Sequence, residues 1–96
     1  MPAYLIAEVD VTDPKAYDEY RKLTPAAVAA YGGRFIVRGG EVESKEGGWK
    51  PARLVVVQFD SMAQARKFYD SPEYAPALAI RLKAAKSKLI LADGLP

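Results

Sequence analysis

Hydrophobic and polar residues alternate along four segments of the chain, a period of two that is typical of strands with one buried face. In the first segment, Leu5, Ala7 and Val9 share one face while Glu8 and Asp10 lie on the other. The four predicted strands cover residues 3–11, 34–38 with a continuation through 41–44, 52–59 and 87–93.

Apolar residues recur with a helical period between these strands. The first predicted helix begins at Asp13-Pro14, an N-cap followed by a proline suited to the first turn, and ends at Gly32. Pro25 interrupts it, so we expect a kink, or a restart with Thr24 as a second cap. A second helical region begins at Ser61 and restarts at Ser71-Pro72, reaching about residue 86.

The order strand, helix, strand, strand, helix, strand predicts an α+β protein with the ferredoxin-like βαββαβ fold. A four-stranded antiparallel sheet would carry its helices on one face. At 96 residues the chain is expected to form one domain over 1–96.

The second face of this sheet is also apolar, because both sides of the third strand carry aliphatic residues. Leu54 and Val56 lie on one side, and Val55 and Val57 on the other. A soluble monomer rarely leaves so large an apolar patch exposed. We therefore expect a homodimer in which a second copy covers this face.

Composition removes several kinds of chemistry. The chain has no cysteine and no histidine, which excludes thiolate and Ser-His nucleophiles and leaves no usual set of zinc ligands. We expect no metal and no cofactor. A net charge of +2 does not favour nucleic-acid binding, and no apolar run approaches the roughly 20 residues of a membrane span. A cytoplasmic location is the default expectation.

The glycine-flanked strand at 32–40 carries the first candidate site. Strict alternation would place Arg34, Ile36 and Arg38 on one face. Arg34 fits a solvated edge strand, whereas Arg38 is equally consistent with an edge cation and with a fork for a carboxylate. Gly39-Gly40 fits a β-bulge, a close approach to a ligand, or both.

Tyrosines and a helical arginine supply the second set of candidates. Tyr74 and Arg81 are seven residues apart, so both can face the same groove. Tyr20 lies on the apolar face of the first helix and is most simply interpreted as a core residue. Alternatively, it lines a pocket, with its hydroxyl available as a hydrogen-bond donor. Alternatively, Arg81 is an ordinary cation at a helix end or part of an intersubunit ion pair. Together with Arg38, these residues are the candidates for a small-anion site.

Several stretches resemble the domain-of-unknown-function 1330 family of the dimeric α/β-barrel superfamily. The resemblance rests on residues 2–7, Asp13-Pro14 with two following tyrosines, the 32–40 stretch, and Phe68 to Tyr74. It implies a ferredoxin-like protomer whose sheet packs against a second copy. Superfamily relatives include cofactor-independent monooxygenases, isomerases and lyases, but this family brings no settled reaction.

Two functional hypotheses follow. The first is binding, with or without cofactor-free turnover, of a small acidic or aromatic molecule by Arg38, Gly39, Gly40, Tyr20, Tyr74 and Arg81. The second is a non-catalytic dimer that senses a ligand or binds another protein. An enclosed cavity holding those side chains favours the first hypothesis, and a fully packed interior favours the second.

Overall fold

The computed structural model describes residues 1–96 and contains four strands and three helices. The strands pair antiparallel in the order β2-β3-β1-β4, and the whole is the ferredoxin-like α+β fold expected from the sequence. In chain order the elements are β1 (Ala3–Val11), α1 (Pro14–Ala30), β2 (Arg34–Arg38), β3 (Leu54–Phe59), α2 (Met62–Tyr69), α3 (Ala75–Ala84) and β4 (Ala85–Asp93).

The core lies between the helices and one face of the sheet. Alternate residues of β1 from Ala3 to Val9 are buried there, as the period of two predicts. Phe59 and Phe68 pack with ring centroids 5.2 Å apart, which joins β3 to α2. The central strand β1 pairs with both β3 and β4, so it positions the rest of the core.

Helix α1 runs unbroken through Pro25, and the predicted restart at Thr24 is wrong. Asp13 caps the helix by accepting a hydrogen bond from the Ala16 amide at 3.2 Å. The Thr24 hydroxyl donates back to the Tyr20 carbonyl instead of opening a new helix. Pro25 has no amide hydrogen, so the Arg21 carbonyl one turn earlier loses its helical partner.

Gly32 ends α1 as predicted. Its φ is +71°, which is the left-handed conformation that glycine often adopts just after the end of a helix. Its amide donates to the Ala29 carbonyl at 3.0 Å, and the Gly33 amide donates to the Val28 carbonyl at 2.9 Å. These two bonds form a Schellman motif, which turns the chain directly into β2.

A β-bulge between Phe35 and Val37 overturns the predicted common face of the two β2 arginines. Arg34 pairs with Gln58, and Arg38 pairs with Val55, which has the opposite parity along β3. The extra residue, Ile36, therefore shifts every later side chain of β2 to the other face. Arg34 lies on the open face of the sheet and Arg38 on the helix-covered face.

The β2–β3 connection covers residues 39–53 and contains no strand, so the predicted continuation through 41–44 is wrong. Of the bulge or bend predicted at Gly39-Gly40, the structure has the bend, at Gly39, whereas the β-bulge precedes both glycines. Strand β3 begins at Leu54, two residues later than expected. Gly39 has φ +71° and its amide donates to the Leu54 carbonyl at 2.9 Å, which joins the two ends of the connection.

The last helical region is divided more sharply than its sequence suggests. Ser71 accepts a hydrogen bond from the Tyr74 amide and donates to the Phe68 carbonyl, forming a turn between α2 and α3. Helix α3 then begins at Ala75 and ends at Ala84, and β4 follows at once from Ala85.

The opposite face of the sheet carries no helix. Ile36 is 48% exposed there and Ile90 is 58% exposed, with the half-buried Ile6 and Val56 on the strands between them. This surface, which we call the open face, is the apolar second face expected from the sequence. None of the three helices combines the length and apolar character required to cross a membrane.

Candidate functional site

A small cavity lies inside the fold, between α1, α3 and the helix-covered face of the sheet. It encloses about 30 Å³, which is enough room for roughly two water molecules. Twelve of its 17 lining residues are hydrophobic. The remaining lining residues include four arginines, which are Arg21, Arg38, Arg53 and Arg81.

No aspartate or glutamate lines this cavity. The three ion pairs of the chain lie elsewhere on the surface, and only one of them involves a cavity arginine, Arg21 with Asp18 at 3.9 Å. Arg38, Arg53 and Arg81 therefore bring positive charge to one apolar space without an acidic partner. Charged groups in such surroundings are costly unless something compensates them.

Arg81 is the most deeply placed of these cations, with only 3% of its surface exposed. Its Nε atom lies 3.4 Å from the hydroxyl of Tyr74, and its guanidinium carbon lies 5.9 Å from the ring centre of Tyr20. Because Arg81 is in the last turn of α3, the carboxyl-terminal end of the helix dipole also favours its charge.

Arg81 stays charged in this position. Burial acts to lower the pKa of its guanidinium, but the neighbouring tyrosines, led by Tyr74, outweigh burial and leave the pKa above its ordinary value. The contribution of the tyrosines as anions applies only in strong alkali. At neutral pH the arginine is cationic in either case.

The hydroxyls of Tyr20 and Tyr74 lie 2.8 Å apart and form the polar centre of the site. Burial, and then the proximity of Tyr74, raises the pKa of Tyr20 well above its ordinary range. The Tyr20 phenol therefore keeps its proton at neutral pH and acts as a hydrogen-bond donor. Tyr74 is 1% exposed and stacks on Phe68 with centroids 4.4 Å apart, so it is fixed within the core.

Arg38 reaches the cavity from the edge strand because of the bulge. Its guanidinium carbon lies 4.4 Å from the ring centre of Phe35, and its Nη2 donates to the Arg21 carbonyl at 3.1 Å. This is the carbonyl that Pro25 deprives of its helical partner. The contact gives Arg38 a defined resting position, although the residue as a whole is exposed.

Arg53 is the lining cation that the sequence reading missed. It lies at the end of the β2–β3 connection with its guanidinium carbon 5.6 Å from the ring centre of Tyr17, and its Nε is buried without a hydrogen-bond partner. The alternation along β3 could have identified Arg53, because it precedes the inward-facing Val55 and Val57 by two and four residues and so belongs to the same face.

Gly39 makes room for Arg53. A Cβ atom placed on Gly39 would overlap the guanidinium of Arg53, which would then have to move. The glycine thus allows the guanidinium to lie against the backbone at the mouth of the cavity.

The candidate residues divide into two groups. Tyr20, Arg38, Tyr74 and Arg81 all line the same cavity. Gly39 lies beside it through Arg53, whereas Gly40 has open space around its α-carbon. Trp49 does not line the cavity, and its indole Nε1 donates to Glu8 at 3.3 Å.

The acidic residues do not converge anywhere as a metal site. No group of three or more aspartate or glutamate side chains has an arrangement that could hold a metal ion.

A family model for the domain of unknown function DUF1330 matches residues 2–95. The chain belongs to this family. The comparison with curated proteins found no match.

Solved structures share the fold of this DUF1330 protein at low sequence identity. A protein of unknown function from Rhodopseudomonas palustris is 19% identical with a TM-score of 0.72, over 99% of this chain and 83% of that one. A dimeric ferredoxin-like protein of unknown function from Jannaschia is 11% identical with a TM-score of 0.74, over 98% and 100%. SnoaB, a cofactor-independent oxygenase from Streptomyces nogalater, is 14% identical with a TM-score of 0.70, over 99% and 94%.

Proposed function

We propose that this DUF1330 protein binds a small organic anion in the cavity between α1, α3 and the sheet. One observation carries the proposal: four arginines line the cavity and no acidic side chain does. A bound carboxylate would supply the missing negative charge and accept paired N–H bonds from a guanidinium.

The rest of the lining indicates what the anion is attached to. Aliphatic and aromatic side chains form most of the wall, so the ligand carries an apolar portion beside its acidic group. A purely inorganic ion would leave that wall in contact with water.

Binding requires the cavity to open, because about 30 Å³ is less than even a small organic acid occupies. Arg38 is the side chain best placed to move. It is exposed, it comes from the edge strand, and its contacts are one neutral carbonyl and one ring face. An incoming carboxylate replaces the carbonyl with a stronger, charged acceptor.

We also propose that the protein works as a homodimer through the open face. Ile36 and Ile90 would be covered by a second copy, with Trp49 near the edge of the contact. The description of the Jannaschia structure as dimeric supports this arrangement. Light scattering at micromolar concentration should give the mass of two chains, and a mass of one chain would refute the dimer.

The tight cavity supports a second candidate function, a ligand sensor without catalysis. If Arg38 must move for a ligand to enter, binding alters the edge strand whose other face would lie in the dimer contact. The likeness to SnoaB supports the alternative of cofactor-free turnover, but at 14% identity it concerns the fold alone.

The test is a thermal-shift screen of the purified protein against small organic acids and neutral aromatic compounds. Acids should raise the melting temperature, and Arg38→Ala should weaken that response because a guanidinium is lost from the cavity. Arg34→Ala is the matched control, since it removes the same group from the same strand on the open face. Equal responses in both variants would remove Arg38 from the site, and no response to any acid would refute anion binding.

A further inference from the structure

Two polar features of the cavity lining indicate that the ligand carries a second polar group in addition to its carboxylate. The first is Arg53, whose Nε is buried without a partner. The second is the hydroxyl pair of Tyr20 and Tyr74, backed by the buried Arg81. The inference drawn from them rests on the proposed anion binding and narrows the class of ligand.

The direction of the hydrogen bonds between the tyrosines follows from Arg81. Arginine only donates, so Arg81 Nε–H occupies an acceptor site on the Tyr74 oxygen. Tyr74 is almost completely buried, and the hydroxyl of Tyr20 at 2.8 Å is the side-chain acceptor available for its own hydrogen. Donation from Tyr74 to Tyr20 is the order that gives the buried Tyr74 hydroxyl both an accepted and a donated hydrogen bond.

This order leaves the hydroxyl hydrogen of Tyr20 without a partner in the protein. Tyr20 lines the cavity, so that hydrogen is available to a ligand there. A chain that begins at a cation and runs through two hydroxyls is polarised along its length, which strengthens the last donor. The end of the chain suits an oxygen that accepts a hydrogen bond, such as a carbonyl oxygen.

The two features lie on either side of Tyr17. The guanidinium carbon of Arg53 is 5.6 Å from the Tyr17 ring centre, which is 5.2 Å from the ring centre of Tyr20, so a short ligand can contact both Arg53 and Tyr20. The lining side chains supply donors from arginines and Tyr20 but no carboxylate to accept a hydroxyl hydrogen. This favours an oxo group over a hydroxyl group as the second function.

We propose that the cavity is selective for short 2-oxo acids, with Arg53 binding the carboxylate and the Tyr20 hydroxyl donating to the adjacent carbonyl oxygen. The small apolar remainder of the acid then packs against the aliphatic wall. Arg81 and Tyr74 act as positioning residues that hold and polarise Tyr20.

The test compares pyruvate, lactate and propionate, which share one carboxylate and one methyl group and differ at the carbon between them. Their affinities are measured by NMR titration at fixed pH, with sodium chloride at equal ionic strength as the reference. Pyruvate should bind about three- to tenfold more tightly than the other two, the effect of one neutral hydrogen bond.

Two variants assign the contacts. Tyr20→Phe should remove the preference for pyruvate and retain binding of propionate. Tyr31→Phe is the control: the Tyr31 hydroxyl donates to Glu73, so its loss should leave the preference unchanged. Arg53→Met should weaken all three acids by about tenfold or more, since bonds to charged groups are stronger.

The outcomes separate this inference from the proposed function. If the three acids bind equally, or if the preference survives Tyr20→Phe, selectivity for 2-oxo acids is refuted while anion binding stands. If the affinities are unchanged in Arg53→Met, the assignment of Arg53 is refuted. If none of these three acids binds above the sodium chloride reference, selectivity for short 2-oxo acids is refuted, and anion binding is then decided by the wider thermal-shift screen.

Discussion

The two ends of the layer between the helices and the sheet are built differently along the same strand. Where β1 begins, Ala3, Phe59 and Ala65 are almost fully buried and none of them lines the cavity; we call this the closed end. Where β1 ends, Val9 shares the wall with Arg53 and Arg81, and a cavity remains; we call this the cavity end.

The difference shows which end maintains the fold and which end is free for function. Dense apolar packing supplies stability, and the closed end follows that rule throughout. The cavity end departs from it with buried cations and unfilled space. Such departures persist where they serve another purpose, and they lower the stability of the empty protein.

The largest expected effect is at the closed end. Phe59→Ala should lower the free energy of unfolding by about 3–5 kcal/mol, because it removes a buried ring and leaves a void beside Phe68. Urea denaturation measures the change. Leu82→Ala is the control, since this exposed residue of α3 should change stability by less than about 0.5 kcal/mol. Similar losses in both variants would mean that burial does not distinguish the sites.

Replacement of a cation at the cavity end should act in the opposite direction. Arg81→Met keeps an extended side chain but removes a buried charge that only neutral groups compensate, so the unliganded protein should gain about 1 kcal/mol of unfolding free energy. The Tyr20–Tyr74 hydrogen bond can persist without the arginine. Denaturation without added acids is the measurement, and a destabilised variant would show that Arg81 supports the fold in its present surroundings.

Gly39→Ala tests the mouth of the cavity end. The substitution places a Cβ in the left-handed region and against the guanidinium of Arg53, so stability should fall by about 1–2 kcal/mol. Gly40→Ala is a matched control, because nothing lies within 4 Å of a Cβ there and its φ is not positive. The melting temperatures of the two variants are compared directly, and equal values would contradict the strain expected for alanine in the left-handed conformation of Gly39.

The smallest effect concerns pH. Burial raises the pKa of Tyr20 in the folded protein above that of the unfolded chain. The folded state therefore holds this proton more tightly, and the resulting stability is complete below about pH 10 and declines at higher pH. Tyr20→Phe removes this dependence, so the unfolding free energy of the variant should fall less steeply with pH than that of the wild type. Near pH 11 the loss should be smaller in the variant by about 1 kcal/mol. Parallel curves in urea denaturation would contradict the shift.

The sequence supported the fold well, because the relevant signals are local. The alternation in β1, the cap at Asp13 and the left-handed stop at Gly32 each depend on neighbouring residues, and each appears where expected. The strand order then follows from the pattern of elements. The family resemblance pointed to the same architecture, and the family match agrees with it.

The site was only partly predictable, because its geometry depends on irregularities that alternation does not reveal. Four of the six candidate residues line one cavity, but Arg38 arrives there through a bulge at Ile36, not through the common face assumed for it. Arg53 was overlooked although its parity matched the inward residues of β3. The burial of Arg81 without an acid depends on tertiary packing and has no signature in the sequence.

The bulge at Ile36 also bears on how this strand can change over evolutionary time. One additional residue divides β2 into two independent halves, so Arg34 and Arg38 experience different selective constraints although they are four positions apart. A substitution at Arg34 changes the open face, and a substitution at Arg38 changes the cavity. Deletion of Ile36 would remove the bulge yet leave Arg34 opposite Gln58 and Arg38 opposite Val55, so each arginine would keep its face.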